Sequence, residues 1–202
     1  MNIDNFLELK DLTEIKRFLP TRVVSPDIDW IYVNNPKLRH IRRPYEYAFL
    51  DKIVERDPEN KQIFYVIYLE KTKDSINIKE KIPFQLTPEN IIEAAKLTNI
   101  KTGKWLIFVN ENMVDELWEI VAKKTLLGEF NHIFRAKVST PPQKKYLIAV
   151  YTKDFLDMDD LMGAREELKE IGVKWKIKYK PDIYTLLDIY SGDIIRPYIH
   201  HI

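Results

Sequence analysis

The chain has 202 residues, of which 45% are hydrophobic and 31% charged; this excludes intrinsic disorder and fits one large domain or two small ones. Acidic and basic residues almost cancel, at 31 against 32, so attraction to a polyanion has to come from a local basic patch. Cysteine is absent, which excludes disulfides and thiol nucleophiles. No apolar run approaches the ~18 residues of a membrane span, and we predict a cytoplasmic protein without a membrane partner.

The first third of the chain begins with a predicted amphipathic helix that Asp4 caps and Pro20 ends, because apolar residues recur near helical spacing. The segment WIYVN reads as a short strand, and a basic loop, PKLRHIRR, follows it. The type of the aromatic segment over residues 44–56 stays open. IFYVIYLE is β-branched and aromatic, so it is predicted to form a strand that pairs with SINIKEKIPF across a KTKD turn.

The rest of the chain alternates strands with three predicted helices. The first helix begins at Thr87 and runs to about Leu97, the second begins at Asn110 or Asn112 and ends before Gly128, and the third runs from Asp157 to Gly172. Between them, KWLIFVN is predicted to be a central strand, and FRAKVS and KYLIAVYT to be two strands joined at a Pro-Pro turn. Residues 182–190 fit either a helix or an edge strand.

After the third helix, the stretch VKWKIKYKPD places lysines on alternate positions. Period-two alternation predicts a strand with the lysines on one side and Trp175, Ile177 and Tyr179 in the core. The lysines then form a solvated or edge-protecting face, which is also available to an anion.

Together these elements predict an α+β fold: a curved, mostly antiparallel sheet with about three helices on its convex face. No internal repeat or low-complexity linker divides the chain. We therefore expect a single domain over residues 1–202, with the N-terminal helix and the basic loop of residues 1–45 as an extension.

The sequence contains no glycine-rich phosphate loop, nucleophile elbow or zinc-protease motif. The spacing of the four histidines does not resemble a closed metal site. We accordingly predict neither catalysis nor a metal nor a cofactor.

Several motifs in the second half resemble those of the cap-binding translation initiation factors. These are TGKWLIFVN, then VDELWEIV, then AKVS followed by YLIAVYT, and finally IGVKWKIKYKPDIYT. The resemblance implies a curved antiparallel sheet with helices on its back and a concave face free for a ligand. By position, it implies that Lys104 and either Lys144 or Lys145 contact phosphates.

The stacking tryptophans of the cap binders have no counterpart in this sequence. The stretch expected to carry one of them is NIIEAAKLT, a helical segment with Ala94 and Ala95. The ring sandwich that would hold a methylated base is therefore missing, and cap binding itself is not expected.

The chain is also similar to the basophilic-leukaemia-expressed protein family, a domain of unknown function with the same fold. The segment YKPDIYT and a following IY carry this resemblance. The residues that match the family motifs are expected to be structural: Trp105, Trp118, Tyr179, Lys180, Pro181, Asp182, Tyr184 and Thr185.

The leading hypothesis is a non-catalytic binder of RNA, DNA or a nucleotide, because basic residues on a sheet face and on an aromatic-rich loop suit phosphate contact. The candidate phosphate contacts are Lys104, Lys137, Lys144 and Lys145 on the sheet, and Arg39, Arg42 and Arg43 on the loop. The alternative is a protein-interaction scaffold whose acidic helical back binds a partner protein.

Overall fold

The computed structural model describes residues 5–41, 48–56, 61–69, 78–83, 87–141, 145–187, 189–190 and 196–202. Ten strands are present in these ranges: β1 Phe6–Glu8, β2 Trp30–Asn34, β3 Ala48–Arg56, β4 Lys61–Leu69, β5 Ile78–Pro83, β6 Gly103–Val109, β7 Arg135–Ser139, β8 Tyr146–Thr152, β9 Lys178–Pro181 and β10 His200–His201. The five α-helices are α1 Leu12–Arg17, α2 Pro88–Thr98, α3 Glu111–Leu126, α4 Met158–Glu170 and α5 Asp182–Leu186.

Seven strands form one sheet in the order β1-β2-β7-β8-β6-β9-β10, and β3, β4 and β5 form a second, three-stranded sheet. Strand β1 pairs with β2 in parallel, whereas β2 with β7, β7 with β8 and β9 with β10 are antiparallel. The predicted α+β class with a curved, mostly antiparallel sheet is confirmed.

The chain divides into two compact units. The first comprises Met1–Ile41, Lys104–Tyr179 and His200–Ile202, and it contains most of the seven-stranded sheet with α1, α3 and α4. The second comprises Arg42–Gly103 and Lys180–Ile199, and it contains the three-stranded sheet with α2 and α5. In the second unit, β4 pairs with β3 on one side and with β5 on the other, so the predicted hairpin is confirmed; its turn, 71–74, lies outside the described residues.

The three helices predicted in the second half begin and end where their capping residues indicated. Thr87 caps α2, Asn110 precedes α3, and the Asp157 side chain accepts hydrogen bonds from two backbone N–H groups of α4. Gly172 has φ of 101°, a left-handed conformation that favours glycine, and it ends α4 as predicted. Residues 182–186, left open from the sequence, form the helix α5.

The predicted opening helix is wrong in its first half. Residues 6–8 form the edge strand β1, and the helix α1 begins only at Leu12, with Asp11 as its cap. Asp4 lies outside the described residues. The spacing of the apolar residues fits a helix as well as a strand. The parallel pairing of Phe6 with Trp30 in β2 makes this segment a strand.

Helix α3 packs over β2, β7 and β8 on one face of the large sheet, which we call the back face. Ile31 and Val33 of β2, Val138 of β7 and Ile148 of β8 are fully buried there. The N-terminal segment also packs on α3, since the backbone N–H and hydroxyl of Thr21 both donate to the Asp115 carboxylate.

Helix α4 is held to the loop before β7 by a buried carboxylate. The Asp160 side chain is fully buried and accepts hydrogen bonds from the backbone N–H groups of Lys153 and Asp154. His132 Nδ1 lies 3.1 Å from the same carboxylate. The His132 ring lies directly over Gly163, so that a Cβ at residue 163 would overlap it.

Substituting Gly163 with alanine tests this contact. In a His132→Ala background we expect Gly163→Ala to raise the free energy of unfolding by about 0.8 to 1 kcal/mol, the usual preference of a helix interior for alanine. In the natural background the new Cβ displaces the His132 ring from Asp160, and we expect the gain to be lost. Urea unfolding of the four proteins measures this coupling. An equal effect of Gly163→Ala in both backgrounds would contradict the contact.

Candidate functional site

The face of the large sheet opposite α3, which we call the front face, carries aromatic and basic side chains in register. In β2, Trp30 and Tyr32 alternate with the buried Ile31 and Val33 and therefore point to the front. Tyr32 is directly opposite Lys137 of β7. The strand pairing thus places rings from β2 beside cations from β7.

Two of these pairs are close cation-π contacts. Lys137 Nζ lies 3.6 Å from the centroid of the Trp30 ring and 5.7 Å from that of Phe6, and the Arg135 guanidinium carbon lies 5.4 Å from the Tyr32 centroid. Phe6 and Tyr32 meet edge to face, with 6.0 Å between their centroids. We call these five residues the aromatic-basic cluster: Phe6, Trp30, Tyr32, Arg135 and Lys137.

A short hydrogen-bond relay orients the arginine of this cluster. The Asn34 side-chain amide donates to Glu8 Oε1 at 2.8 Å, and its carbonyl accepts from Arg135 Nε at 2.7 Å. Because Glu8, Asn34 and Arg135 lie on three adjacent strands, the relay fixes the guanidinium relative to the sheet.

Exposure differs along the front face. Phe6 is 45% exposed, whereas Lys137 is 9% exposed, so the cluster presents rings to solvent above a largely buried ammonium group. Nearer the middle of the sheet, Leu38 and Ile41 pack against Tyr151 and its neighbours. The concave face that the resemblance implied to be free is therefore partly covered by residues 38–41.

The candidate phosphate contacts are spread over the front face and the loops. Lys104 Nζ lies 5.4 Å from the Tyr151 ring, and its side chain is buried in the part of the face near residues 38–41. Arg39 and Lys145 are exposed, each in a loop. The other predicted phosphate contacts lie outside the described residues: Arg42, Arg43 and Lys144. Among the candidates that the structure describes, Lys137 is the one that contacts the half-buried Trp30 ring and lies near the exposed Phe6 ring.

Sequence reasoning missed Phe6, Trp30, Tyr32 and Arg135 as site residues. The alternating aromatics of WIYVN were a usable signal, because period two places both rings on one face. The cations that these rings meet come from β7, far along the chain, and only the strand register identifies them.

The family motif serves packing in the first unit. Tyr179 is fully buried, meets Trp105 edge to face at 5.1 Å, and shares a 2.7 Å hydrogen bond with the Thr152 hydroxyl. The Trp105 indole in turn donates to the Leu161 carbonyl of α4. Trp118 is also fully buried, on α3.

In the second unit the motif continues with two buried charges. Lys180 Nζ donates to the Ile189 backbone carbonyl at 2.6 Å and lies 4.0 Å from the Tyr190 ring centroid, so the tyrosine of the following Ile-Tyr pair packs on the motif lysine. The Asp182 carboxylate accepts from the Thr102 hydroxyl, and its backbone N–H donates to the Thr102 carbonyl. Pro181 precedes α5, in which Tyr184 is buried and Thr185 half-buried.

The predicted lysine-rich strand is only partly correct. Regular pairing begins at Lys178, and residues 173–177 form an irregular segment. Ile177 and Tyr179 are buried as predicted, but Trp175 is 37% exposed, which corrects the prediction of a core residue.

Residues 173–177 do not pair as a regular strand because Arg165 binds the backbone carbonyls that such a strand would use. Arg165 is buried on α4, and its guanidinium donates to the Val173 carbonyl at 2.7 Å and to the Trp175 carbonyl at 2.9 Å. Burial lowers the pKa of Arg165 from its usual value, although an arginine remains charged at neutral pH.

No helix in the described ranges is long and apolar enough to cross a membrane. Among the same residues, no group of three or more His, Cys, Asp or Glu side chains is arranged to hold a metal ion.

Several solved structures are similar to this chain. Ascaris suum eIF4E-3 in complex with the m2,2,7G cap shares 18% identity at a TM-score of 0.40, over 72% of this chain and 73% of that chain. Schistosome eIF4E complexed with m7GpppA and 4E-BP shares 18% identity at a TM-score of 0.41, over 82% and 78%. C. elegans eIF4E-3 with the 4E-binding protein Mextli shares 17% identity at a TM-score of 0.39, over 67% and 70%.

Ala94 and Ala95 of the segment NIIEAAKLT are buried on α2. A family model, described as basophilic leukemia-expressed protein Bles03, matches residues 12–188. The match covers most of the sequence and confirms the predicted family. The chain belongs to the Bles03 family.

Proposed function

We propose that this protein binds a nucleotide or nucleic acid without catalysis, and that the aromatic-basic cluster is its binding site. The observation that carries the proposal is the Lys137 ammonium group, held 3.6 Å from the Trp30 ring beside the half-exposed Phe6. Arg135 adds a second cation over Tyr32 on the same face.

Nucleotides combine two chemical parts that match this arrangement. Phosphates bind to lysine and arginine, while bases stack on aromatic rings at about 1 to 3 kcal/mol per base. Lys137 and Arg135 bring two positive charges beside Trp30 and Tyr32, and this local positive field attracts a phosphate.

The whole chain has a formal net charge of only +1. Binding must therefore come from the local field of the cluster, and it should weaken with salt in proportion to the few phosphates contacted. A protein without a site would show little binding at any salt concentration.

Lys137→Gln tests the proposal most simply. We expect about tenfold weaker binding of a short, uncapped single-stranded RNA, and a log-log salt dependence that is shallower by about 0.7, because one phosphate contact is removed. Fluorescence anisotropy of a labelled RNA at several salt concentrations measures both quantities. A capped RNA should bind no more tightly than the uncapped one, since a matched ring sandwich is missing.

Two variants serve as controls. Lys16→Gln removes an exposed lysine of α1 and should leave binding unchanged, whereas Lys137→Arg keeps the positive charge and should lose less affinity than Lys137→Gln. Unchanged binding in Lys137→Gln, at unchanged stability, would remove the cluster as the site. Absence of binding by the natural protein at low salt would remove the proposed function and favour the protein-interaction alternative.

A further inference from the structure

The aromatic-basic cluster contains the same cation-ring contact twice. Lys137 is paired with Tyr32 of β2, yet its Nζ lies 3.6 Å from the ring centroid of Trp30, two residues earlier. Arg135 is paired with Asn34, yet its guanidinium carbon lies 5.4 Å from the ring centroid of Tyr32, again two residues earlier. Both cations therefore lean in the same diagonal direction, and their charges stay about as far apart as their positions on β7.

This repeat sets the distance between the two positive charges. At about 3.4 Å per residue, positions 135 and 137 of one strand lie about 7 Å apart. Successive phosphates of an extended single-stranded nucleic acid are linked through a sugar, and their separation is similar. The two phosphates of a nucleoside diphosphate share one bridging oxygen and are much closer together. The cation pair therefore matches two successive nucleotides better than it matches one.

The cluster is also arranged in parallel rows. The two cations lie on β7, whereas the rings lie on β2 and on the edge strand β1. On the β1 side, Phe6 is 45% exposed, and Glu8 carries a carboxylate that repels phosphates. A bound strand is thus favoured with its phosphates along β7 and its bases towards β1, where a ring is available for stacking.

We infer that the ligand is a single-stranded nucleic acid that lies along β2 and β7, with successive phosphates at Lys137 and Arg135 and a base stacked on Phe6. This inference rests on the proposed function and deepens it, because it names a strand rather than a single nucleotide. A duplex does not supply such a base, since its bases are stacked within the double helix. The relay from Glu8 through Asn34 orients the Arg135 guanidinium in advance, which lowers the entropy lost on binding.

The first test compares two ligands of similar negative charge, a nucleoside diphosphate and a dinucleotide with a 5′-phosphate. We expect the dinucleotide to bind about tenfold more tightly, because its phosphates are spaced to reach both cations. Arg135→Gln and Lys137→Gln should each weaken dinucleotide binding about tenfold. Either variant should change the binding of the nucleoside diphosphate by no more than about twofold, since the other cation remains. Isothermal titration calorimetry at low salt measures these affinities.

A neutral linkage separates the effect of the second phosphate from that of the second base. The same dinucleotide with a methylphosphonate in place of its internal phosphodiester keeps both bases and loses one charge. The natural protein should bind it about tenfold more weakly than the unmodified dinucleotide. This comparison needs no variant, so it holds even where a substitution lowers stability. Arg135→Lys keeps the positive charge and should lose less dinucleotide affinity than Arg135→Gln.

A duplex tests the single-stranded part of the inference. We expect an RNA of about ten nucleotides to bind about tenfold more tightly alone than when it is paired with its complement. Double substitution of Arg135 and Lys137 by Gln should make the log-log salt dependence for the unpaired RNA shallower by about 1.4, at about 0.7 per phosphate contact.

The outcomes separate this inference from the proposed function. Equal affinity of the natural protein for the nucleoside diphosphate and the dinucleotide would overturn the inference and leave a single-nucleotide site at the cluster. Equal affinity for the dinucleotide and its methylphosphonate analogue would overturn the second phosphate contact. Duplex binding as tight as that of the unpaired RNA would overturn the single strand as the ligand. Failure to bind any of these ligands would overturn the inference and the proposed function together.

Discussion

Asn35→Ala is expected to lower the free energy of unfolding by about 3 kcal/mol or more, because it leaves several polar groups without hydrogen bonds. The Asn35 side chain is fully buried, and its amide donates to the carbonyls of Phe130 and Ile133. Its carbonyl accepts from the Lys37 backbone N–H. Each buried group deprived of its partner costs about 1 to 3 kcal/mol.

Urea unfolding measures this loss, provided that the slope of the transition stays constant. Asn112→Ala is the matched control, since Asn112 is exposed on α3 and should change the free energy of unfolding by less than about 0.5 kcal/mol. A loss below about 1 kcal/mol in Asn35→Ala would contradict the hydrogen bonding described. The two carbonyls that Asn35 binds, those of Phe130 and Ile133, belong to the loop that leads into β7. Because β7 carries Arg135 and Lys137, we also expect weaker RNA binding in Asn35→Ala.

Arg165→Met is expected to lower the free energy of unfolding by about 2 to 3 kcal/mol. The substitution keeps an apolar stem and removes the two charge-assisted hydrogen bonds to the Val173 and Trp175 carbonyls. Such bonds contribute about 1.5 to 3 kcal/mol each, and the cost of burying the cation offsets part of that sum.

The effect of Arg165→Met should be local as well as global. Amide hydrogen exchange in residues 173–177 should become faster than in α3, because the segment loses the contacts that order it. Arg165→Lys should give an intermediate loss, since one ammonium group lacks the planar fork that reaches two carbonyls. Arg22→Met, at an exposed position, is the control. Equal stability of Arg165→Met and the natural protein would show that the cation does not hold the segment.

Much of the fold could be predicted because its signals are local. The Thr87 and Asp157 side chains accept hydrogen bonds from the first turns of α2 and α4, and Gly172 supplies the left-handed conformation after α4. Asn110 lies at the start of α3 without a side-chain capping bond. The strand WIYVN was equally readable from its alternation. Capping and period-two patterns depend little on the rest of the chain, so one sequence suffices to find them.

The sequence predictions were wrong where hydrogen bonds from a distant part of the chain determine the backbone conformation. Residues 6–8 could form helix or strand, and pairing with β2 decided between them. The segment after Gly172 alternates like a strand, but Arg165 from the preceding helix takes its carbonyls. Neither contact has a signature in the local sequence.

The candidate site shows the same limit. Lys137 was predicted as a phosphate contact from its basic character, but its position over Trp30 and beside Phe6 depends on the register of three strands. The sequence therefore predicts a basic residue at this place, and the structure shows which aromatic rings it meets.

The most direct measurement is a titration of the ¹⁵N-labelled protein with a nucleoside triphosphate and then with the single-stranded RNA, following the four tryptophan indole N–H signals by NMR. Both the nucleoside triphosphate and the RNA should move the Trp30 signal. The signals of Trp105 and Trp118 should stay in place, because both side chains are fully buried. An unmoved Trp30 signal at saturating ligand would contradict the proposed binding site.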